Sequence, residues 1–162
     1  MKKQTKRRLK ISAIVVTAAG AVVIATALAL ILPHRTVPVL MYHGFTEDQS
    51  ATSTLVITLD NFERQMTYLA KNNFNVINAS ELAAYLANGK ELPPKTIVLT
   101  FDDGYKSFFD LAYTVLQKHG LSATAYLFVD GLAKPDDLER AKGMSAKGLV
   151  EIGSHGVTHR ML

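Results

Sequence analysis

Two acidic residues and two histidines are the side chains of this sequence whose types and spacing suggest chemistry. Asp102 and Asp103 stand side by side before Gly104, and His155 and His159 are four residues apart. Adjacent carboxylates in a turn need not point the same way, so one can bind a cation while the other stays free as a base. Two imidazoles and one carboxylate suit a divalent, zinc-like ion that keeps open positions for water.

Each pair taken alone is more often structural. An Asp-Asp-Gly turn is usually a solvated loop, and an isolated His-x-x-x-His is usually part of a surface or of a satisfied core. A zincin protease is excluded, because Gly156 stands where its helix motif requires a glutamate beside the first histidine. A non-haem iron oxygenase stays open as an alternative, since two histidines and a carboxylate also describe that site.

Alternating strand and helix patterns surround these residues. The run from Lys95 to Phe101 is nearly all apolar, as in a strand buried on both faces. Strands are also predicted at 37–42, 74–77, 122–129 and 149–152; helices are predicted from Asp60 to Asn72, from Ser80 to Asn88, and over 108–119. Segment 46–57 shows no clear period, and 130–148 is interpreted as a loop with at most a short helix.

This order predicts a parallel sheet or barrel with helices outside. In such folds the reactive groups gather at the carboxyl ends of strands. Both the Asp-Asp-Gly turn and the first histidine follow a predicted strand directly, which favours one shared site. His43 also follows a predicted strand, and we treat it as a weaker candidate for lining the same mouth.

The basic residues are concentrated at the amino terminus. Six of the 18 Lys and Arg lie in residues 1–10, so the other 12 face all 14 acidic residues. The later sequence forms no basic stripe, which argues against a nucleic-acid partner. Residues 11–32 carry no charge, and 22 residues at about 1.5 Å each cross a bilayer core of roughly 30 Å.

We therefore predict three segments: a cytoplasmic basic segment at 1–10, a transmembrane signal anchor at 11–32, and a catalytic part at 33–162 outside the membrane. The lipid bilayer is thus a predicted partner of residues 11–32. Secretion after cleavage near Ala27-Leu28-Ala29 is the alternative. The chain has no cysteine, which excludes disulfides and thiolate metal sites.

Three segments carry a resemblance to a known family. They are Val39-Leu40-Met41-Tyr42-His43, Thr100-Phe101-Asp102-Asp103-Gly104 and Gly153-Ser154-His155-Gly156-Val157-Thr158-His159. They are similar to segments of the polysaccharide deacetylases with NodB homology, carbohydrate esterase family four, and the early Tyr-His resembles the membrane-associated or secreted poly-N-acetylglucosamine branch. The family position of Gly156 usually holds Ser or Thr.

The resemblance implies a distorted (β/α) barrel that hydrolyses N-acetyl groups of amino-sugar polymers with one divalent ion. Zinc is the expected ion, with cobalt, manganese or nickel as alternatives. By position, Asp102 would be the general base, and Asp103, His155 and His159 would hold the metal. An N-acetylglucosamine-containing polysaccharide is the implied partner.

Family members continue with further motifs, including a late Leu-x-His whose histidine is the general acid. None of them is present in the 130 residues after residue 32, whereas a full barrel needs about 250. We therefore expect an α/β fold with part of a barrel. An inactive truncated deacetylase that at most binds metal or glycan is the alternative function.

Overall fold

The computed structural model of the chain describes residues 17–27, 36–51, 53–132 and 135–158. The chain divides into two units, residues 1–36 and residues 37–162. In the first unit, residues 17–27 are helical and mostly exposed. Within the described ranges, no helix is long and apolar enough to cross a membrane. Both ends of segment 11–32 lie outside those ranges, so the transmembrane anchor stays a prediction.

The second unit is an α/β structure built on parallel strands. They are β1 (Val39–Tyr42), β2 (Gly44–Thr46), β3 (Val56–Thr58), β4 (Asn75–Ile77), β5 (Thr96–Asp102), β6 (Ala123–Leu127) and β7 (Val150–Ser154). The main sheet has the order β1-β5-β6-β7, β4 also pairs with β5, and β2 pairs with β3 separately. Every pairing is parallel, which confirms the predicted strand arrangement and is consistent with a partial barrel.

Strand β5 lies at the centre of the core. Its residues 96–101 are all buried, as the apolar run predicted. The ring of Phe101 lies 4.8 to 5.9 Å, between centroids, from the rings of Tyr42, Phe45, Phe62 and Phe108. Aromatic contacts at these distances are stabilising, so the strand end that precedes Asp102 is held by packing from several elements.

The helices follow the predicted order. They are α1 (Leu59–Lys71), α2 (Ala79–Ala87), α3 (Tyr113–His119), which continues a π-turn at Phe108–Ala112, and α4 (Pro135–Ala146). Helices α1 and α2 each begin one residue before their predicted starts at Asp60 and Ser80. Thr58 caps α1 by accepting a hydrogen bond from the Asn61 amide. Helix α2 starts after Asn78, whose amide donates to Glu81 Oε2 at 2.9 Å.

Two segments differ from the predictions. The segment 46–57, which shows no clear period, overlaps the last residue of β2 and the first two residues of β3, and these three-residue strands are too short to show alternation. The predicted loop over 130–148 contains the twelve-residue helix α4. Its start is favoured by Pro135 followed by two acidic residues, and Ala141 and Met144 bury one face. Because this segment is rich in lysine and glycine, its sequence does not show the apolar period of that face.

Candidate active site

The Asp-Asp-Gly turn directs its two carboxylates differently through the backbone. Asp102 is the last residue of β5, whereas Asp103 and Gly104 both have positive φ, +70° and +66°. A non-glycine residue with positive φ is uncommon and marks a sharp turn. A Cβ on Gly104 would lie 3.0 Å from Leu127 Cδ2, so the turn also packs closely on the end of β6.

His155 reaches the turn from the neighbouring strand end. It follows β7, and its amide donates to the Leu127 carbonyl oxygen at 2.9 Å, which extends the pairing with β6. Its Nε2 lies 3.1 Å from Asp103 Oδ1. The structure thus brings together two residues that are 52 positions apart in the sequence, as their strand-end positions predicted.

The loop after His155 is not the helical turn that would place both histidines on one side. Gly156 has φ +92°, and residues 157 and 158 form a bend. Backbone bonds from Val129 N to Gly156 O, 3.2 Å, and from Asp130 N to Val157 O, 3.0 Å, hold this loop to the segment after β6. His159 lies outside the described residues, so its predicted place in the site is untested.

The Asp102 carboxyl is partly removed from water. Burial raises its pKa above the ordinary value, the charges of His155 and His43 oppose that shift, and the Asp103 charge adds to it. Its Oδ1 is buried and has no hydrogen-bond partner among the described residues. A carboxylate with an unused buried acceptor can take a proton from a bound water.

His43 lies on the same side of the sheet edge as Asp102. Tyr42 pairs with Phe101 in the β1–β5 register, so the residues that follow them, His43 and Asp102, lie at the same level along the sheet. His43 is half-buried. The sequence made His43 only a weaker candidate for lining the site. The strand register is what brings it beside the carboxylates.

The Asp103 and His155 pair fits a metal-ligand role by its geometry. Two ligand atoms about 2.0–2.2 Å from a tetrahedral ion lie roughly 3.3–3.6 Å apart, close to the 3.1 Å seen here. Among the residues that the structure describes, no group of three His, Cys, Asp or Glu is arranged to hold an ion. A third protein ligand would therefore come from outside these ranges, where His159 lies.

Sequence reasoning missed two residues that shape the site. Ser107 Oγ accepts a hydrogen bond from the Phe45 amide at 3.0 Å, which ties the segment after His43 to the helix after the Asp-Asp-Gly turn. Gly153 lies against the ring of Tyr126, where a side chain would collide. Nothing in the periodicity signalled either contact, because both depend on which strands are neighbours.

Comparisons with known proteins agree with this geometry. The polysaccharide deacetylase family profile matches residues 89–162, which include the Asp-Asp-Gly turn and both histidines. YxkH of Bacillus subtilis, named as a polysaccharide deacetylase, is 32% identical over 124 residues, covering 75% of this chain and 43% of that protein. The poly-beta-1,6-N-acetyl-D-glucosamine N-deacetylase of Escherichia coli K12 is 27% identical over 85 residues, 52% of this chain and 13% of its own length.

Solved structures show the same fold. The Streptococcus pyogenes deacetylase PplD, in complex with acetate, superposes with a TM-score of 0.67 at 26% identity, covering 76% of this chain and 57% of that one. This chain thus spans less than half of each of the two curated relatives and about half of that structure. Residues 89–162 thus match the polysaccharide deacetylase family, and the similar proteins and the similar structure named above are deacetylases.

Proposed function

We propose that this protein hydrolyses N-acetyl groups from an N-acetylglucosamine-containing polysaccharide, with one divalent ion, zinc. One observation carries the proposal: Asp103 and His155 converge to 3.1 Å at two strand ends, beside the separate, half-buried carboxyl of Asp102. The match of residues 89–162 to the deacetylase family favours hydrolysis of an amide over the iron oxygenase alternative, and the Escherichia coli relative is named for this polymer.

The roles follow from the two carboxylates. When bound, a divalent ion polarises the amide carbonyl and lowers the pKa of water. Asp103, His155 and His159 are the side chains that would hold it. Asp102 would accept the proton of the attacking water as the new C–O bond forms. The C–N bond then breaks, the nitrogen takes up the proton that Asp102 accepted, and acetate and a free amino sugar are released.

The reaction is tested on the full chain in mild detergent with added zinc. Acetate release from N-acetylglucosamine oligomers is measured, and a chelator is expected to abolish it. Asp102→Asn should lower the rate by about 10²-fold or more while zinc binding is retained, because only the base is lost. Asp60→Asn is the matched control, since Asp60 is an exposed carboxylate in the first turn of α1.

The outcomes separate the alternatives. Full activity of Asp102→Asn would refute its role as base. Zinc or glycan binding without acetate release from the wild type would instead support the non-catalytic alternative. For the ion, Asp103→Asn and His155→Ala should each weaken zinc binding measured by calorimetry, and unchanged affinity would contradict their assignment as ligands.

We further propose that residues 11–32 anchor the chain, with the catalytic unit outside the membrane. The support is the uncharged stretch of 22 residues between six basic residues and Arg35. Protease added to intact cells should digest residues 37–162 and leave a membrane-bound amino-terminal piece. Release of the catalytic unit into the medium would favour cleavage of a signal peptide.

A further inference from the structure

The Ser107 hydroxyl joins two distant segments of the chain. Ser107 lies in the helical turn at residues 106 and 107, directly before the π-turn that leads into α3, and its side chain makes no capping hydrogen bond. Its Oγ accepts a hydrogen bond from the amide of Phe45, 62 residues earlier in the chain, at 3.0 Å.

The other end of this hydrogen bond belongs to the segment that carries His43. The Gly44 amide donates to the Leu55 carbonyl at 3.0 Å, which fixes one side of that segment to β3. The ring of Phe45 is buried, with its centroid 4.8 Å from that of Phe62. The Phe45 side chain and amide are therefore both held, one by the core and the other by Ser107.

This bond spans the two segments that meet beside Asp102. On one side, Tyr42 pairs with Phe101, so His43 stands at the level of Asp102. On the other side, Ser107 lies five residues after Asp102, on the chain that leaves the Asp-Asp-Gly turn. Besides the β1–β5 pairing, the partly buried hydrogen bond between the Phe45 amide and the Ser107 hydroxyl thus ties the His43 segment to the chain that follows the carboxylates.

We propose that Ser107 is a positioning residue that holds the His43 imidazole against the Asp102 carboxyl. Without the hydroxyl, the partly buried Phe45 amide loses its hydrogen-bond acceptor. The His43 segment can then give this amide a water partner only by moving outwards. Threonine would retain the acceptor. The catalytic consequence rests on the proposed deacetylase function, but the placement of His43 does not.

The placement is tested by NMR on the metal-free full chain in detergent, without any need for turnover. Asp102→Asn should shift the His43 imidazole resonances in the wild type and in Ser107→Thr. In Ser107→Ala that response should fall by at least half, and exchange of the Phe45 amide should accelerate about fivefold. Ser145→Ala is the control, because Ser145 is exposed on α4.

Several results would overturn the proposal. They are an unchanged His43 response in Ser107→Ala, an unchanged Phe45 exchange rate, or no response to Asp102→Asn in the wild type. If Ser107→Ala does not fold, Ser107→Thr and Ser107→Val form a pair of equal shape that differs in the hydroxyl alone, and equal behaviour of the two refutes the role.

Kinetics add a readout that a purely structural residue would not give. Ser107→Ala should lower kcat for acetate release with little change in KM, and Ser107→Thr should restore it. In a His43→Ala background, Ser107→Ala should lower kcat little further, because its effect acts through His43. Absence of acetate release from the wild type would refute the deacetylase proposal and leave the NMR result to decide on Ser107.

Discussion

Replacing Gly153 by alanine is expected to destabilise the domain next to the site. Gly153 pairs with Tyr126 across β7 and β6, two residues before His155. A Cβ at this position would lie 2.5 Å from Tyr126 Cδ1 and 2.6 Å from Cε1. Carbon atoms in favourable contact are about 3.5–4.0 Å apart, so the added methyl overlaps the ring by roughly 1 Å. The ring or the strand must move.

The magnitude follows from the cost of overpacking. Inserting one carbon into a packed contact costs about 1–3 kcal/mol of unfolding free energy. Gly143→Ala is the matched control, because Gly143 lies inside α4 and a Cβ there meets no atom within 4 Å. A glycine inside a helix costs about 0.5–1 kcal/mol relative to alanine, so this variant should be stabilised. The same chemical change thus has opposite signs at the two sites.

Urea unfolding followed by circular dichroism measures both effects. With an m-value of about 1.5 kcal/mol/M, a loss of about 2 kcal/mol lowers the midpoint by roughly 1.3 M. Gly143→Ala should raise the midpoint by about 0.3–0.7 M. In the double variant Gly153→Ala/Tyr126→Ala, most of the steric cost of the added methyl group should disappear, because the ring that it would meet is gone. A Gly153→Ala variant as stable as the wild type would refute the close packing inferred here.

Three further changes test local features by the same unfolding assay. Gly156→Ser should cost about 1–2 kcal/mol because φ is +92° there, and unchanged stability would contradict that backbone. Thr58→Ala should cost about 1 kcal/mol through loss of the α1 cap. Glu63→Gln should cost about 0.5 kcal/mol at pH 7. Hydrogen bonds from Lys118 and then His119 lower the Glu63 pKa, so this contribution exists above the unfolded pKa and is lost as pH falls through the folded one. The Glu63→Gln difference should therefore shrink as the pH falls through the folded pKa of Glu63 and disappear below it, and a difference that persists there would contradict the ion pairs.

The parts of the fold that sequence predicted best are those with strong local patterns. The buried strand before Asp102 and the face of α1 formed by Phe62, Met66 and Leu69 were both confirmed. Burial on both faces produces an unbroken apolar run, and burial of one helix face produces a regular period. The stop at His119-Gly120 was also confirmed, since Gly120 adopts the left-handed conformation that ends α3.

What sequence could not predict depends on contacts between distant segments. The parallel pair of β2 and β3 exists because Gly44 and Val56 are neighbours in space, and neither strand is long enough to show a pattern. The helix cap at Thr58 precedes the acidic residue that suggested a start at Asp60, because the cap must lie outside the helix while acidic residues favour its first turn.

The candidate site illustrates both limits. Residue types and strand-end positions were enough to predict that Asp103 and His155 would meet. The sequence predicted that the adjacent carboxylates could point different ways, but it did not predict the backbone step that separates them. Asp102 keeps the extended conformation of β5 and is half-buried, whereas Asp103, at φ +70°, leaves the strand, and its Oδ1 lies 3.1 Å from His155 Nε2. In the proposed mechanism these chemically identical side chains have different roles, since Asp102 would accept a proton and Asp103 would bind a cation. In a regular strand, neighbouring side chains would simply point to opposite faces of the sheet. The left-handed turn is therefore the feature that would let adjacent aspartates serve one reaction in different roles.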